Sequence, residues 1–342
     1  MIFKYNFKMF KFNSNKTYII AEACDNHFGN LNTAKKMALA SKKAGADIVK
    51  FQHHLPDEEM LKKVPKSKNF KLNLYQFLKK YSLKLSDHEK LMNYCSKINI
   101  KYLCTPFSYK AACELNEIGL DFFKIGSGEF LDIPFIKKMC EFKKPIIFST
   151  GMSNIKDIDE MYKFIKKHKK NQAVFMNCTS EYPPSFKDIN LGFIPIMKKR
   201  YKEFIIGHSD HTNTIETAIA AVSLGAKIIE KHIFVDNKNF GPDREVSIST
   251  LQLQQLVKSV RNVEKSLGTN KQIYTKERQI EKWAKRSLVA IKDIKKGEIL
   301  DEKNFWSKRP GTGISSKYYF DYLGKKAKKN IKADTLIKKY YF

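Results

Sequence analysis

The stretch KKAGADIVK (residues 42–50) carries the pattern that decides the fold, and two further copies follow as NEIGLDFFK (116–124) and VSLGAKIIEK (222–231). In each copy a helical segment ends at a glycine, and a short apolar run begins shortly afterwards. Glycine supplies the left-handed conformation that closes a helix. Branched and aromatic residues in a short run fit a strand that is buried on both faces. Each copy therefore predicts the helix-to-strand half of a βαβ unit.

Further apolar runs predict strands in the intervals between the copies. They lie at 18–22, 100–105, 145–150, 173–178 and 203–207, and the strands of the three copies end near Gln52, Gly126 and His232. Most intervals carry a helical pattern, and the long interval after Gln52 predicts an inserted loop over 55–70. Eight strands that alternate with helices predict an α/β fold, a TIM (β/α)8 barrel over about 17–265. A doubly wound open sheet is the alternative, but a count of eight favours closure.

The sequence changes character after the predicted barrel. Residues 250–266 have apolar side chains at helical spacing and predict the last helix of the barrel. Short branched runs and glycine- and proline-containing turns over 285–342 predict a small β-rich module. We therefore expect a barrel domain at 1–266, a linker at 267–284 and a second domain at 285–342.

The chain of 342 residues has a net charge of +29, from 64 basic and 35 acidic residues. Lysine makes up nearly all of the basic residues and is spread over the whole sequence, whereas nucleic-acid sites favour arginine and local basic patches. We therefore expect no nucleic-acid partner. No apolar window is long enough to span a membrane, and the N-terminus lacks the apolar core of a signal peptide. The six cysteines show no C-x-x-C pairing and no compact framework, which is typical of reduced thiols. We therefore expect a cytoplasmic protein without a membrane partner.

Polar residues follow every predicted strand, and the catalytic residues of such a barrel lie at the carboxyl ends of its strands. One such residue alone is more often structural, but eight polar strand ends at one mouth are costly to bury without a ligand. Two kinds of group are present: cations and hydroxyls that suit phosphate and carboxylate (Lys50, Lys124, Ser127, Ser149, Ser209), and divalent-metal ligands (His211, His232 and Glu22). The sequence has no P-loop and no G-x-G-x-x-G after a strand, which disfavours nucleotide chemistry.

These strand-end motifs, taken in order, resemble the sialic acid (N-acetylneuraminate) synthase family. The motifs are AEACDNH (21–27), KFQ (50–52), TPF (105–107), KIGSGE (124–129), STGM (149–152), CTSEYP (178–183), SDHT (209–212), EKH (230–232), GPD (241–243) and KRPG (308–311). The likeness extends over about residues 17–342. It implies a TIM barrel followed by a C-terminal antifreeze-like (SAF, β-clip) domain. It also implies a domain-swapped homodimer in which the SAF domain of one chain caps the barrel of the other.

The resemblance further implies a reaction between phosphoenolpyruvate and an N-acylated hexosamine such as N-acetylmannosamine. The products are a nine-carbon 2-keto sugar acid and phosphate. The family's metal ligands would be His211 and His232, with Mn²⁺ as the expected ion and Mg²⁺ or Co²⁺ as alternatives. The resemblance assigns catalytic roles to Glu22, Glu129 and Gln52. It assigns substrate binding to Lys50, Thr105, Lys124, Ser127, Ser149, Ser180, Tyr182, Ser209 and Asp243, and to Arg309 of the partner's SAF domain.

Three residues depart from the family's usual pattern near the expected mouth of the barrel. They are Phe28, Ser180 and Arg244. They leave several acceptor sugars open, because legionaminate, pseudaminate and spore-coat polysaccharide synthases share most of the motifs; N-acetylneuraminate is the product we expect first. A KDO-type aldose-phosphate synthase is a second enzyme class, which the SAF module disfavours. A non-catalytic polyanion-binding protein is a third hypothesis, which the full set of polar strand ends disfavours.

Overall fold

A computed structural model describes residues 11–13, 15–64, 72–235, 241 and 243–342. The chain divides into two compact units, Met1–Leu267 and Gly268–Phe342. The described residues do not include most of the N-terminal stretch, which the sequence predicts not to be a signal peptide. They also do not include part of the predicted 55–70 loop or Pro242. Within the described ranges, we find no helix whose length and apolar character would let it span a bilayer.

The first unit is built around a closed barrel of eight parallel strands, which confirms the predicted fold. The strands are β1 (Tyr18–Glu22), β2 (Ile48–His53), β3 (Lys101–Pro106), β4 (Phe123–Ile125), β5 (Ile146–Ser149), β6 (Ala173–Cys178), β7 (Ile205–Asp210) and β8 (Ile228–Phe234). Each strand pairs with the next in sequence, and β1 pairs with β8 to close the barrel. A short strand β9 (Ile248–Ser249) continues in parallel from the end of β8.

Helices surround the barrel and connect its strands. They are α1 (Leu31–Ala44), α2 (Pro56–Glu59), α3 (Leu74–Tyr81), α4 (Leu85–Lys97), α5 (Tyr109–Glu117), α6 (Ile133–Glu141), α7 (Ile155–His168), α8 (Phe193–Arg200), α9 (Glu216–Ser223) and α10 (Thr250–Ser266). The three glycines of the repeated pattern, Gly45, Gly119 and Gly225, have φ values of 89°, 90° and 102°. The left-handed turn predicted before β2, β4 and β8 is therefore present in all three copies.

Alternation along the strands explains how this barrel builds a polar mouth on an apolar floor. Side chains two residues apart on a strand share a face. The interior floor is apolar and consists of Phe12, Ile20, Ile48, Leu103, Phe122, Ile147, Val174, Met176 and Ile228. Two residues further along the chain from members of this floor lie Glu22, Lys50, Thr105, Lys124, Ser149, Cys178 and Glu230. The strand register therefore carries one polar interior layer directly above the apolar one.

Strand β7 ends three residues later than the sequence pattern predicted. Its register with β8 continues through His208↔Ile229, Ser209↔Glu230 and Asp210↔Lys231. Polar side chains usually mark the end of a buried strand, but here they continue the ladder because the interior at this level is polar.

The second unit has a small apolar core of its own. Its sheet is antiparallel and has the order β11-β10-β12, with β10 (Ser287–Ala290) between β11 (Phe305–Lys308) and β12 (Thr335–Leu336). The core includes Leu288, Ala290, Ile294, Leu300, Phe305, Ala327, Ile331 and Ile337. This unit also contains helix α11 (Thr275–Ala284), inside the stretch predicted as a linker, and helix α12 (Tyr319–Tyr322). None of the α11 residues is buried, and its apolar side chains Ile280 and Trp283, three residues apart, are exposed.

Candidate active site

The mouth of the barrel holds a cavity of about 620 Å³ at the carboxyl ends of the strands. Every predicted site residue of the first unit lines this cavity: Glu22, Lys50, Gln52, Thr105, Lys124, Ser127, Glu129, Ser149, Ser180, Tyr182, Ser209, His211, His232 and Asp243. Arg309 belongs to the second unit, where its guanidinium group lies over the Trp283 ring, 5.6 Å from the ring centroid. Its delivery by a partner chain stays a prediction.

Two buried lysines occupy the polar layer at the bottom of the cavity. The Nζ atom of Lys50 lies 3.1 Å from a Glu22 oxygen and 2.9 Å from a Glu230 oxygen. The Nζ atom of Lys124 lies 3.8 Å from Glu230 and donates a hydrogen bond of 2.6 Å to Ser149 Oγ. Because burying charge is costly, these lysines require either the carboxylates around them or an anionic ligand.

The ionisation of these groups leaves the cavity floor cationic near neutral pH. Burial raises the pKa of Glu22 to about 7, although Lys50 opposes the shift. Burial also acts on Glu230, but Lys124 and Lys50 overcome it, so the net pKa of Glu230 is well below its ordinary value. Burial lowers the pKa of Lys124 to about 8. Around pH 7, two lysines therefore share one fully ionised carboxylate and a partly protonated one, an arrangement that suits an anionic ligand.

Glu230 is the functional residue that the sequence reasoning overlooked. It appears in the EKH motif, yet it was assigned no role. Besides the two lysines, its carboxylate accepts a hydrogen bond of 2.9 Å from Ser209 Oγ. Glu230 lies two residues before His232, so a strand places both side chains on the same face, and this spacing could have identified Glu230 from the sequence. The neighbouring Lys231 instead pairs with Asp210 at 3.1 Å and is not among the residues that line the cavity.

Several buried polar atoms of the cavity have no hydrogen-bond partner within the described part of the chain. They include Thr105 Oγ1, Glu129 Oε2 and His232 Nδ1. Each such atom costs about 1–3 kcal/mol when it is left unsatisfied. Burial also raises the pKa of Glu129 to about 7, where a carboxyl group can act as a general base at neutral pH. This pattern is typical of a site whose polar partners arrive with a ligand.

A series of hydrogen bonds connects helix α2 to the cavity floor through Glu59, His54, Gln52 and Glu22. The sequence analysis assigned no role to Glu59 or His54. Glu59 Oε2 lies 2.9 Å from His54 Nδ1, and His54 Nε2 donates to Gln52 Oε1 at 3.1 Å. Gln52 Nε2 in turn donates to Glu22 Oε1 at 3.1 Å. Burial disfavours a charged His54, but its hydrogen bond to Glu59 and the charge of Asp25 overcome this and raise its pKa. A protonated His54 donates from both ring nitrogens and fixes the orientation of the Gln52 amide.

The two histidines expected to hold a divalent ion, His211 and His232, lie next to each other at the mouth of the cavity. His211 Nδ1 donates to the Thr179 carbonyl at 2.8 Å, so in the neutral ring the lone pair is on Nε2, which lies 3.3 Å from the Tyr182 hydroxyl oxygen. Such a backbone hydrogen bond commonly orients a metal-binding imidazole. The ring centroid of His232 lies 5.1 Å from that of His211. The unpartnered His232 Nδ1 lies 3.8 Å from Asp243 Oδ2, which adds an oxygen ligand of the kind that divalent ions accept.

Of the three residues that depart from the family pattern, only Ser180 lines the cavity. Phe28 packs against Tyr81, with ring centroids 5.5 Å apart, and the Arg244 guanidinium lies 3.2 Å from the centroid of the Phe234 ring. The cavity also has an apolar portion formed by Met60, Leu74, Leu78, Phe107 and Met152. Ser180 and this apolar portion are therefore the features that bear on the choice of acceptor.

A closed (β/α)8 barrel with a cationic cavity floor at its mouth provides a site that suits an anionic ligand. Comparison with known families identifies which enzyme class this is. The NeuB family model matches residues 37–272, and the SAF domain model matches residues 285–339. The chain belongs to the NeuB family. This membership confirms the predicted enzyme class, a phosphoenolpyruvate-dependent transferase that forms a carbon–carbon bond.

Three similar proteins are synthases of three different acids. The N,N'-diacetyllegionaminic acid synthase of Campylobacter jejuni is 40% identical over 94% of this chain and 99% of its own length. The pseudaminic acid synthase of the same species is 34% identical, over 94% of this chain and 96% of its own. A solved N-acetylneuraminic acid synthetase from Leptospira borgpetersenii is 30% identical, with a TM-score of 0.73 over 81% of this chain and 94% of its own. The chain is a nonulosonate synthase by family, and these relatives differ in the acid that they produce.

Proposed function

We propose that the protein condenses phosphoenolpyruvate with an N-acylated hexosamine and releases a nonulosonate and phosphate. One observation carries the proposal: Lys50 and Lys124 are buried together at the floor of a cavity in which several buried polar atoms have no hydrogen-bond partner among the described residues. A ligand with two anionic groups satisfies both lysines. The hydroxyl groups that accompany them in the cavity belong to Thr105, Ser127, Ser149 and Ser209, and they suit the oxygens of phosphate and carboxylate.

The reaction assigned to this cavity forms one carbon–carbon bond and breaks one carbon–oxygen bond. C3 of phosphoenolpyruvate attacks the aldehyde carbon of the open-chain sugar, and positive charge develops at C2. Water adds at C2, and phosphate leaves with the C2–O bond. His211 and His232 would hold a divalent ion, which would supply the positive charge that polarises the aldehyde oxygen.

The protein's own groups manage the protons of these steps. With a pKa of about 7, Glu129 accepts the proton of the attacking water. Glu22, whose pKa is also about 7, exchanges a proton with the sugar oxygen. Gln52 holds Glu22 in position through its hydrogen bond of 3.1 Å.

For the acceptor, we propose a di-N-acetylated hexose, so that the product is a diacetyllegionaminate-type acid. The 40% identical Campylobacter jejuni relative supports this choice. The apolar side chains Met60, Leu74 and Leu78 also support it, because they suit acetamido methyl groups and a deoxy carbon better than free hydroxyl groups. N-acetylmannosamine, which the sequence favoured first, is the second candidate and is supported by the Leptospira structure.

An acceptor panel tests the proposal directly. Purified protein is incubated with phosphoenolpyruvate, Mn²⁺ and one sugar at a time: the two diacetamido hexoses of the legionaminate and pseudaminate types, N-acetylmannosamine, or arabinose 5-phosphate. We expect phosphate release with an acylated hexosamine and a product heavier by the mass of pyruvate. Turnover of arabinose 5-phosphate alone would assign a KDO-type synthase. No release with any of the four sugars contradicts the proposed function.

We also propose an oligomeric state, domain bounds, a physiological ion and a location for the protein. We propose a homodimer in which Arg309 of one chain reaches the acyl group in the partner's cavity, with domains at 1–266 and 285–342 and a linker at 267–284. We propose Mn²⁺ as the physiological ion and a cytoplasmic location. Phosphate release after chelation and re-addition of Mn²⁺, Mg²⁺ or Co²⁺ compares the ions.

A further inference from the structure

At the mouth of the cavity, three potential metal ligands lie close together. Cys24 Sγ, a His232 nitrogen and an Asp243 oxygen all lie within 4.8 Å of one another. Cys24 is fully buried, and His232 is 4% exposed. No metal-binding role for Cys24 follows from its position in the AEACDNH motif, since that motif contributes its glutamate to the site.

The orientation of these three side chains points to a shared ligand. His232 Nδ1 is buried and has no hydrogen-bond partner among the described residues. It lies 3.8 Å from Asp243 Oδ2, too far for a hydrogen bond but a suitable separation for two atoms that bind one ion. The Cys24 thiol interacts with the same Asp243 carboxylate by a side-chain hydrogen bond. The carboxylate therefore lies between a thiol and an unpartnered imidazole nitrogen.

The backbone of Cys24 provides an independent observation. Its φ is 37°, in the left-handed region that residues other than glycine rarely adopt. Such a conformation costs about 1–2 kcal/mol. The backbone N–H of Cys24 donates to Glu22 Oε1 at 3.0 Å, so the strained turn is tied directly to the catalytic carboxylate. A strained residue held beside unpartnered polar groups is a common sign of a functional site.

We propose that Cys24 Sγ is a ligand of the divalent ion, together with His232 Nδ1 and Asp243. The thiol binds as the thiolate, and its proton is released to solvent as the ion binds. A thiolate ligand strengthens the binding of thiophilic ions, so Zn²⁺, Cd²⁺ and Co²⁺ should bind with higher affinity than Mg²⁺ or Mn²⁺, although Mn²⁺ is the ion proposed as physiological. The proposal rests on the proposed function only in that the two share His232. Binding of the ion can be measured without either substrate.

A cobalt titration of the metal-free, full-length protein tests the proposal. A thiolate bound to Co²⁺ produces a charge-transfer absorption band in the near ultraviolet. We expect this band in the unmodified protein and its loss in Cys24→Ser. We also expect the affinity for Cd²⁺ and Zn²⁺ to fall by about tenfold or more in Cys24→Ser, while the affinity for Mg²⁺ changes far less.

Two further variants control the experiment. Cys178→Ser removes the other cysteine near the cavity and should keep the band. Cys24→Gly relaxes the positive φ, so loss of the band in a variant with an unchanged melting temperature excludes misfolding. A band that survives in Cys24→Ser, or that disappears only in Cys178→Ser, overturns the proposal. Failure of phosphate release in the acceptor panel leaves the cobalt result standing, so the two proposals fail separately.

Discussion

Glu129 and Lys124 line the same cavity, and the pKa of Glu129 lies below that of Lys124. Burial raises the pKa of the Glu129 carboxyl to about 7 and lowers that of the Lys124 ammonium to about 8. A base must be ionised and a phosphate-binding lysine must be protonated, so both groups are in their working forms only between these values. At the scale of the single residue, burial therefore sets the pH at which this site works.

We predict a bell-shaped pH dependence of kcat/KM for phosphoenolpyruvate, with its maximum between pH 7 and 8. Below pH 7 protonation of Glu129 removes the base, and above pH 8 deprotonation of Lys124 removes the cation, each by about tenfold per unit. Lys124→Arg keeps its charge at every accessible pH and should lose the upper limb while the lower limb remains. An upper limb that is unchanged in Lys124→Arg would mean that a different group titrates there.

Gly151 is a second residue at which the structure makes a sharp prediction. A Cβ atom at this position would lie 2.6 Å from Ser127 Oγ and would also collide with Ser180 Oγ. Gly151→Ala should displace both hydroxyl groups and raise KM for phosphoenolpyruvate about tenfold, with little loss of thermal stability. Gly192→Ala is the matched control, because no atom lies within 4 Å of its added Cβ. Equal KM values for the two variants in a phosphate-release assay would contradict the prediction.

At the scale of the element, the short helix α2 helps to position the carboxylate of Glu22 through a series of hydrogen bonds. Its Glu59 contacts His54, which holds Gln52, which holds Glu22. We predict that Glu59→Gln lowers kcat by about tenfold with a small change in KM for phosphoenolpyruvate, since outer-shell partners of active groups commonly contribute this much. Without the carboxylate the pKa of His54 falls, and the loss should therefore be smaller at low pH, where His54 is protonated again.

The neighbouring residue of the same helix provides the control. Glu58 lies on the exposed side of α2, where it is 3.3 Å from the Lys110 ammonium group. Glu58→Gln removes an equal charge from the same turn and should leave kcat unchanged, because exposed ion pairs contribute little. A kcat that falls equally in both variants would show that the helix, and not the series of hydrogen bonds, is what matters.

The elements differ in how well the sequence predicts them. The bounds of α10 follow from the spacing of its one buried apolar face, and those of β1 follow from a short apolar run that is buried on both faces. Helix α11 is short and has no buried face, so its few apolar residues, such as Ile280 and Trp283, did not distinguish it from a linker. In the site, period-two alternation places Lys50 and Lys124 in one layer, but the pairing of both with Glu230 depends on a register across strands. That register is a property of the closed barrel and cannot be read from any single strand.

At the scale of the whole molecule, the net charge of +29 has little to do with the site. The two lysines at its floor are buried, whereas runs such as residues 166–170 are exposed or half-buried and lie on or after helix α7. The charge of the site depends on burial and on neighbouring carboxylates, and the charge of the surface is open to screening by salt. We therefore expect kcat/KM for phosphoenolpyruvate to depend far less on ionic strength than the net charge alone would suggest.

The two-unit organisation permits a test of whether one chain completes the cavity of another. Arg309→Ala and Glu129→Gln should each reduce turnover strongly, the first through the acyl sugar and the second through the base. If Arg309 serves the partner's cavity, a heterodimer of the two variants contains one intact site, with a normal Glu129 and a normal Arg309 from different chains. Random exchange of equal amounts should then restore about one quarter of the unmodified activity. If Arg309 serves its own chain, both sites of the heterodimer are defective, and mixing the variants after denaturation and refolding restores nothing.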